Sequence, residues 1–168
     1  MFTPQGGTRF TSLSSPPVSH PNRVGRGSFP TTSKTYSTQL KKTMITKIQL
    51  SLSGGEPGET IDLSYSKDDT TCYVTLHCRG CDYEGVSWNL FDALCKARLQ
   101  LEPQGLIPVC YGASENVYPS GMCLDMGSGS RAYLWGKKGP LSLVDIFATG
   151  PEVIPSTVAD QSDSFAKK

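Results

Sequence analysis

Cys78 and Cys81, with His77 beside them, are the residues whose types and spacing come closest to a known chemistry. Two cysteines separated by two residues have the spacing of half a structural zinc site, and the histidine could supply a third ligand. A structural site needs a second closely spaced pair, which the other cysteines do not form: Cys72, Cys95, Cys110 and Cys123. We therefore expect no bound zinc, and a zinc-binding interaction module using Cys78 and Cys81 remains an alternative.

Most of the other cysteines fall on apolar faces of predicted elements. This pattern indicates small buried hydrophobic residues in a reducing compartment, and it favours a cytoplasmic protein. A cysteine-dependent enzyme would need Cys110 or Cys78 as nucleophile and His77 as base, because the only other histidine lies near the N-terminus. No third, orienting group is evident beside these residues. We therefore expect no catalytic residues and no cofactor, and a cysteine-dependent enzyme is a second alternative.

Residues 105–122 hold the richest set of polar and aromatic side chains. An apolar run at residues 106–110, of the length of one buried strand, leads into a turn-prone loop. Polar and aromatic groups on a loop that follows a rigid strand are typical of binding surfaces. We expect partner-binding residues here and on a short strand further along the chain: Tyr111, Glu115, Asn116, Tyr118, Tyr133 and Trp135.

The elements that position these residues follow from hydrophobic periodicity. Alternating segments predict three strands joined by short loops, hence an antiparallel meander: residues 46–52, 59–66 and 70–77. Residues 78–85 contain two glycines and predict a turn. Ser87 is the predicted N-cap of a helix over residues 88–101, which has an apolar stripe and an Asp92–Lys96 pair at i, i+4.

Later elements are shorter. We predict strands at residues 106–110 and 131–135 and a glycine-containing loop at 125–130. Residues 141–147 suit a short helix or a strand, and Ser142 as N-cap with Gly150 near the end favours the helix. The fold class is therefore α+β, with an antiparallel sheet of four to five strands, one main amphipathic helix packed on a face, and short C-terminal helices. The predicted core includes Ile48, Leu50, Leu63, Val74, Leu76, Phe91, Leu94, Ile107 and Val109.

Charge and composition divide the chain into three parts. Residues 1–43 carry six basic and no acidic side chains and are rich in Ser, Thr and Pro, which predicts a disordered basic tail. Met44 is a second potential start, so this tail is alternatively a wrongly assigned extension. A transit peptide is disfavoured because prolines interrupt the helix that it needs. A single α+β domain is predicted for residues 44–155, and a weak helix or tail for residues 156–168.

The remaining 125 residues hold ten basic and fifteen acidic side chains, a net charge of −5 behind a tail of +6. An acidic domain argues against nucleic acid as partner and favours a basic protein. No apolar run approaches the ~20 residues of a membrane span, so no membrane partner is expected.

Three segments carry a resemblance to a known class of proteins: WNLFDALCKARLQLEPQGLIPVCYGAS, NVYPSGM and SLVDIFATGPEV. With the meander, these make residues 46–155 resemble the small cytoplasmic immunity-type proteins encoded beside bacterial polymorphic toxins. The resemblance implies a non-enzymatic domain that binds and blocks a cognate, basic toxin. The basic tail and the CxxC motif lie outside it.

Overall fold

Four consecutive strands form an antiparallel meander: β1 (Thr46–Ser53), β2 (Thr60–Lys67), β3 (Cys72–Cys78) and β4 (Cys81–Ser87). The computed structural model describes residues 44–167. A short fifth strand, β5 (Ile107–Pro108), pairs with β1, which gives the order β4-β3-β2-β1-β5. The α+β fold class is confirmed. The predicted tail, residues 1–43, lies outside the described residues.

The turn predicted within residues 78–85 is present at Arg79 and Gly80, but the prediction is wrong for residues 81–85, which belong to β4. A two-residue turn joins β3 to β4, and both of its residues have positive φ, 51° at Arg79 and 76° at Gly80. Positive φ at both positions gives a turn whose twist matches that of the flanking strands. Cys78 and Cys81 are therefore direct cross-strand neighbours in a hairpin.

The main helix, α1 (Leu90–Leu101), packs against β3 and β4. Its N-cap is Asn89, whose side chain accepts a hydrogen bond from the Asp92 backbone N–H at 2.8 Å. The predicted cap, Ser87, is instead the last residue of β4, and its hydroxyl donates to the Asp92 carboxylate. The predicted Asp92–Lys96 ion pair is confirmed, with 3.0 Å between the charged atoms.

A second sheet, which the sequence did not predict, follows: β6 (Val117–Tyr118), β7 (Arg131–Gly136) and β8 (Gly139–Asp145). The helix favoured at 141–147 is wrong, because Gly139–Asp145 form β8, which pairs with β7, and the last two residues of the predicted helix lie beyond that strand. Helix α2 (Gly121–Gly127), capped by Ser120, includes the first residues of the predicted 125–130 loop. The last helix, α3 (Val158–Ala166), begins after Thr157.

The core lies between the five-stranded sheet and α1. Six predicted core residues are buried: Leu50, Leu63, Val74, Leu76, Phe91 and Leu94. Ile107 and Val109 are only half-buried, as is Ile48, and the buried positions of that segment are Leu106, Pro108 and Cys110. The alternation was therefore assigned one residue out of phase at β5. Among residues 44–167, no helix is long and apolar enough to span a membrane.

Candidate protein-binding surface

Three of the predicted binding residues meet in one aromatic cluster. The Tyr118 ring stacks on Phe165 of α3, with 4.1 Å between ring centroids. Trp135 contacts the same phenylalanine edge-on at 5.6 Å, and Tyr133 contacts Trp135 at 6.3 Å. Phe91 of α1 completes the cluster at 5.4 Å from Tyr118. The structure thus places Tyr133 and Trp135 beside Tyr118, with α3 supplying the ring between them.

The other three predicted residues are engaged within the chain. The Tyr111 hydroxyl donates to a Glu152 carboxylate oxygen at 2.8 Å, and this hydrogen bond raises the pKa of Tyr111. The Asn116 side-chain amide donates to the Glu152 carbonyl at 3.1 Å. Glu115 is exposed, but its carboxylate accepts a hydrogen bond from Ser164 at 2.7 Å. These residues therefore hold the C-terminal segment in place.

A groove of about 350 Å³ opens beside the aromatic cluster, between α1 and α3, with Leu124 of α2 contributing to its lining. Apolar and aromatic side chains form much of the lining: Trp88, Phe91, Cys95, Tyr118, Pro119, Leu124 and Val158. The polar residues of the lining are Asn89, Asp92, Gln161 and Ser162. The geometry is that of a shallow apolar site with a few polar groups at its margins.

One large apolar side chain of the groove lining stands exposed: Trp88, at 55%. We call the groove, together with Trp88, the groove surface. Met122 and Met126 of α2 are also exposed, at 71% and 82%. They are spaced i, i+4 and so share one side of that helix, whereas Leu124, which lines the groove, is two residues from each and faces another side. The sequence prediction missed Trp88, for which a tryptophan just before the helix was the available signal.

Backbone hydrogen bonding fixes α2 next to the start of α1. The Leu90 N–H donates to the Ser128 carbonyl at 2.7 Å, and the Lys67 ammonium donates to the Ser128 hydroxyl. Gly129 lies so close to Asn89 that an added Cβ would stand 2.8 Å from the amide oxygen. These contacts hold the end of α2 beside the segment that carries Trp88.

Beneath the groove, a fully buried arginine ties α1 to α3. One Arg98 guanidinium nitrogen donates to the Gly112 carbonyl at 2.9 Å and to the Gln161 side-chain oxygen at 2.8 Å. The other donates to the Ser156 carbonyl at 2.5 Å and lies 3.4 Å from a Glu102 carboxylate oxygen. A buried guanidinium is tolerated because carbonyls and a carboxylate replace its water.

Gln161 continues this network from α3. Its side-chain nitrogen donates to the Ser114 and Val117 carbonyls, each at 2.9 Å, and to the Gly112 carbonyl at 3.3 Å. The amide thus satisfies carbonyls of the segment between β5 and β6. The two helical walls of the groove are consequently held at a fixed separation by hydrogen bonds that are shielded from water.

Asp92 supplies the charge in the groove lining. Burial alone would raise the pKa of its carboxyl, but hydrogen bonds from Ser87 and Lys96 outweigh burial and hold the pKa below its ordinary value. The carboxylate therefore stays ionised near neutral pH. No lysine or arginine lines the described groove, although Lys96 pairs with Asp92 at its edge.

Of the cysteines predicted to be buried, Cys72 and Cys110 are buried and Cys95 is half-buried. Cys110 is fully buried, and burial raises the pKa of its thiol to about 11, so little thiolate forms at neutral pH. Cys78 is buried and its neighbour Cys81 is exposed, while His77 is exposed and pairs with Asp82 at 2.5 Å. Within residues 44–167, no group of three or more His, Cys, Asp or Glu side chains is placed to hold a metal ion.

No protein-family model matches the chain, and no curated protein matches it either.

Proposed function

We propose that the domain binds a protein partner through the groove surface and that the partner is a basic toxin, which the domain neutralises. The observation that carries this proposal is the apolar groove whose lining includes the exposed Trp88. Single exposed apolar residues are ordinary, but an exposed tryptophan at a concave apolar site is typical of an interaction surface.

The residue types suit a protein interface. Tryptophan is enriched among the residues that dominate binding energy, because it buries a large rigid area at low entropic cost. Around such a centre, the net negative charge of residues 44–168 would speed encounter with a basic partner.

The test is co-expression with the product of the adjacent upstream gene, which an immunity protein is expected to neutralise. We expect growth to be protected and a complex of nanomolar affinity to be recovered. Trp88→Ala should weaken that complex by roughly tenfold or more, since hot-spot truncations cost about 2 kcal/mol or more. Full toxicity on co-expression, together with no binding, would eliminate the proposal.

A matched control is Leu141→Ala. Leu141 is 69% exposed, so the substitution removes a comparably exposed apolar side chain, but from β8 and outside the groove lining. We expect this variant to bind and protect as the unchanged protein does. Equal loss of binding in both variants would show that the effect is not specific to the groove surface.

A further inference from the structure

We propose that Cys78 and Cys81 form a dithiol site that is oxidised reversibly to a disulfide, and that its oxidant is a small-molecule disulfide of the glutathione type. Neither cysteine lines the groove, so this proposal goes beyond the proposed function and does not depend on it. Its basis is the hairpin between β3 and β4, which places the two cysteines directly opposite each other.

The two-residue turn at Arg79 and Gly80 sets the distance between the cysteines. Residues that flank such a turn form a hydrogen-bonded pair, whose Cα atoms lie ~5.5 Å apart. Disulfides join residues whose Cα atoms are about 4.4–6.8 Å apart, so the spacing of the two strands already allows the bond. In the register of the described strands, no other two cysteines stand opposite each other.

Both thiols also lie on one face of the sheet, because directly opposite residues of an antiparallel pair share a face. Cys78 continues the buried alternation of β3 at the end of that strand. Burial raises the pKa of the Cys78 thiol, and the neighbouring groups that raise it further are Glu59 and Cys81. The effect of Cys81 on Cys78 reflects the proximity of the two sulfurs.

The histidine beside the pair does not complete a metal site with it. His77 precedes Cys78 on β3, so its side chain points to the opposite face of the sheet, where it pairs with Asp82. No group of three potential metal ligands forms anywhere within residues 44–167. Two thiols on one face without a third ligand suit disulfide exchange better than zinc binding.

Exposure gives the two thiols different roles. Cys81 is exposed at the start of β4, where a dissolved disulfide can reach its sulfur. Cys78 is buried, so the sulfur that it meets is that of its cross-strand neighbour. The Arg79 guanidinium donates to both Glu59 carboxylate oxygens, at 2.7 and 2.8 Å, and thereby holds the turn between the two thiols in place.

The reaction is two successive thiol–disulfide exchanges. The Cys81 thiolate attacks one sulfur of oxidised glutathione, which breaks that S–S bond, forms a mixed disulfide and releases one glutathione thiolate. Cys78 then loses its proton, and its sulfur attacks the Cys81 sulfur and releases the second glutathione. The two cysteines lose two electrons and two protons in total, and the oxidised glutathione gains them as two thiols. Exposed disulfides are labile, so excess reduced glutathione reverses both steps.

The test incubates the full chain with defined mixtures of reduced and oxidised glutathione. The remaining thiols are then blocked with iodoacetamide in denaturant, and mass spectrometry locates the modified cysteines. We expect two of the six thiols to be lost without any gain of glutathione. Labelling of Cys78 and Cys81 should fall roughly tenfold or more and should return when dithiothreitol is added.

Three single substitutions separate the roles of the cysteines. Cys78→Ser should stop the reaction at the mixed disulfide, so that one glutathione remains on Cys81. Cys81→Ser should leave Cys78 as a free thiol, because the oxidant does not reach a buried sulfur. Cys123→Ser removes another cysteine that is not fully buried and is the matched control, which should form the bond between Cys78 and Cys81 at an unchanged rate.

Retention of all six thiols in the oxidising mixtures would overturn the proposal. A mixed disulfide that persists on Cys81 in the full chain, or a disulfide-linked dimer, would overturn it as well. Cys81→Ser changes an exposed residue and should keep the circular dichroism spectrum of the unchanged protein, so it decides the outcome even where Cys78→Ser fails to fold. An intramolecular disulfide that forms equally well in Cys81→Ser would show that a different pair reacts.

Discussion

Arg98 is the residue on which the attachment of α3 depends most directly. Its guanidinium bonds with Gly112, Ser156 and Gln161, and no solvent reaches it. Arg98→Leu should lower the free energy of unfolding by roughly 3–5 kcal/mol. The substitution leaves Glu102 without its cation and leaves several buried carbonyls without a hydrogen-bond donor. Urea denaturation measures the loss. Arg131→Leu makes the same chemical change at an exposed position of β7. We expect its free energy of unfolding to stay within about 0.5 kcal/mol of that of the unchanged protein.

Glu59 should make the stability of the fold decrease at low pH. Hydrogen bonds from Arg79, at 2.7 and 2.8 Å, lower the pKa of Glu59 from 4.5 to about 2. A carboxyl with a depressed folded-state pKa adds stability above pH 4.5, and that stability is lost as the pH falls towards 2. As the pH is lowered across this range, the urea concentration at the midpoint of unfolding should fall less steeply for Glu59→Gln than for the control Glu84→Gln on β4. Identical slopes would contradict the assignment.

At the scale of elements, α1 approaches β4 very closely at Gly85. A Cβ built on Gly85 would stand 1.8 Å from the Ala93 carbonyl oxygen and 2.8 Å from the Ala97 nitrogen, both backbone atoms. Gly85→Ala should therefore force the helix away from the sheet and cost roughly 1–3 kcal/mol. Thermal or urea unfolding measures the effect.

The control for that prediction is Gly121→Ala at the start of α2. An added Cβ meets nothing within 4 Å there, and the backbone does not have positive φ. We expect the free energy of unfolding of this variant to lie within about 0.5 kcal/mol of that of the unchanged protein. A loss as large as that of Gly85→Ala would indicate that the close approach is not the cause.

Periodicity predicted β1, β2, β3 and most of α1 because their apolar residues alternate or recur at helical spacing. It failed at β4, where Asp82, Glu84 and Gly85 interrupt any apolar alternation, and the strand exists because it pairs with β3. It failed again at β8, where Leu141, Leu143 and Val144 suit either a strand or a helix. Pairing with β7, a contact distant from local sequence, decides between them.

Some residues of the candidate site could be identified from the sequence, and others could not. Tyr118, Tyr133 and Trp135 were identified by residue type, and the structure shows them clustered. Their common neighbour Phe165 lies in α3, and nothing local in the sequence indicates that this helix packs there. The long-range network of Arg98 and Gln161 that docks α3 was equally invisible, because a lone arginine in a helix is usually solvated.

At the scale of the whole molecule, the second sheet has an open edge at β8, which pairs only with β7 among the described residues. Leu141 and Leu143 are exposed along it. Pro140 lacks an N–H, the turn before it carries Lys137 and Lys138, and the β7–β8 register shifts at Leu134/Trp135. These are the features by which proteins prevent edge-to-edge association.

Removal of these features should make the molecule self-associate. We expect the double variant Lys138→Val, Pro140→Val to form concentration-dependent oligomers, measured by light scattering after size-exclusion chromatography. Thr75→Val adds a similar apolar group to β3, whose two edges are both paired, and should leave the molecular mass unchanged. A double variant with the molecular mass of the unchanged protein at all concentrations would show that the edge needs no such protection.

The exposed thioethers of Met122 and Met126 make α2 sensitive to oxidants. Peroxide converts methionine to its sulfoxide, which is polar and which dedicated reductases reverse. Because both side chains lie outside the core, oxidation would change the chemistry of the surface without unfolding the domain. In oxidatively stressed cells, this side of α2 would therefore become polar while the protein stays folded, and it would become apolar again when the sulfoxides are reduced.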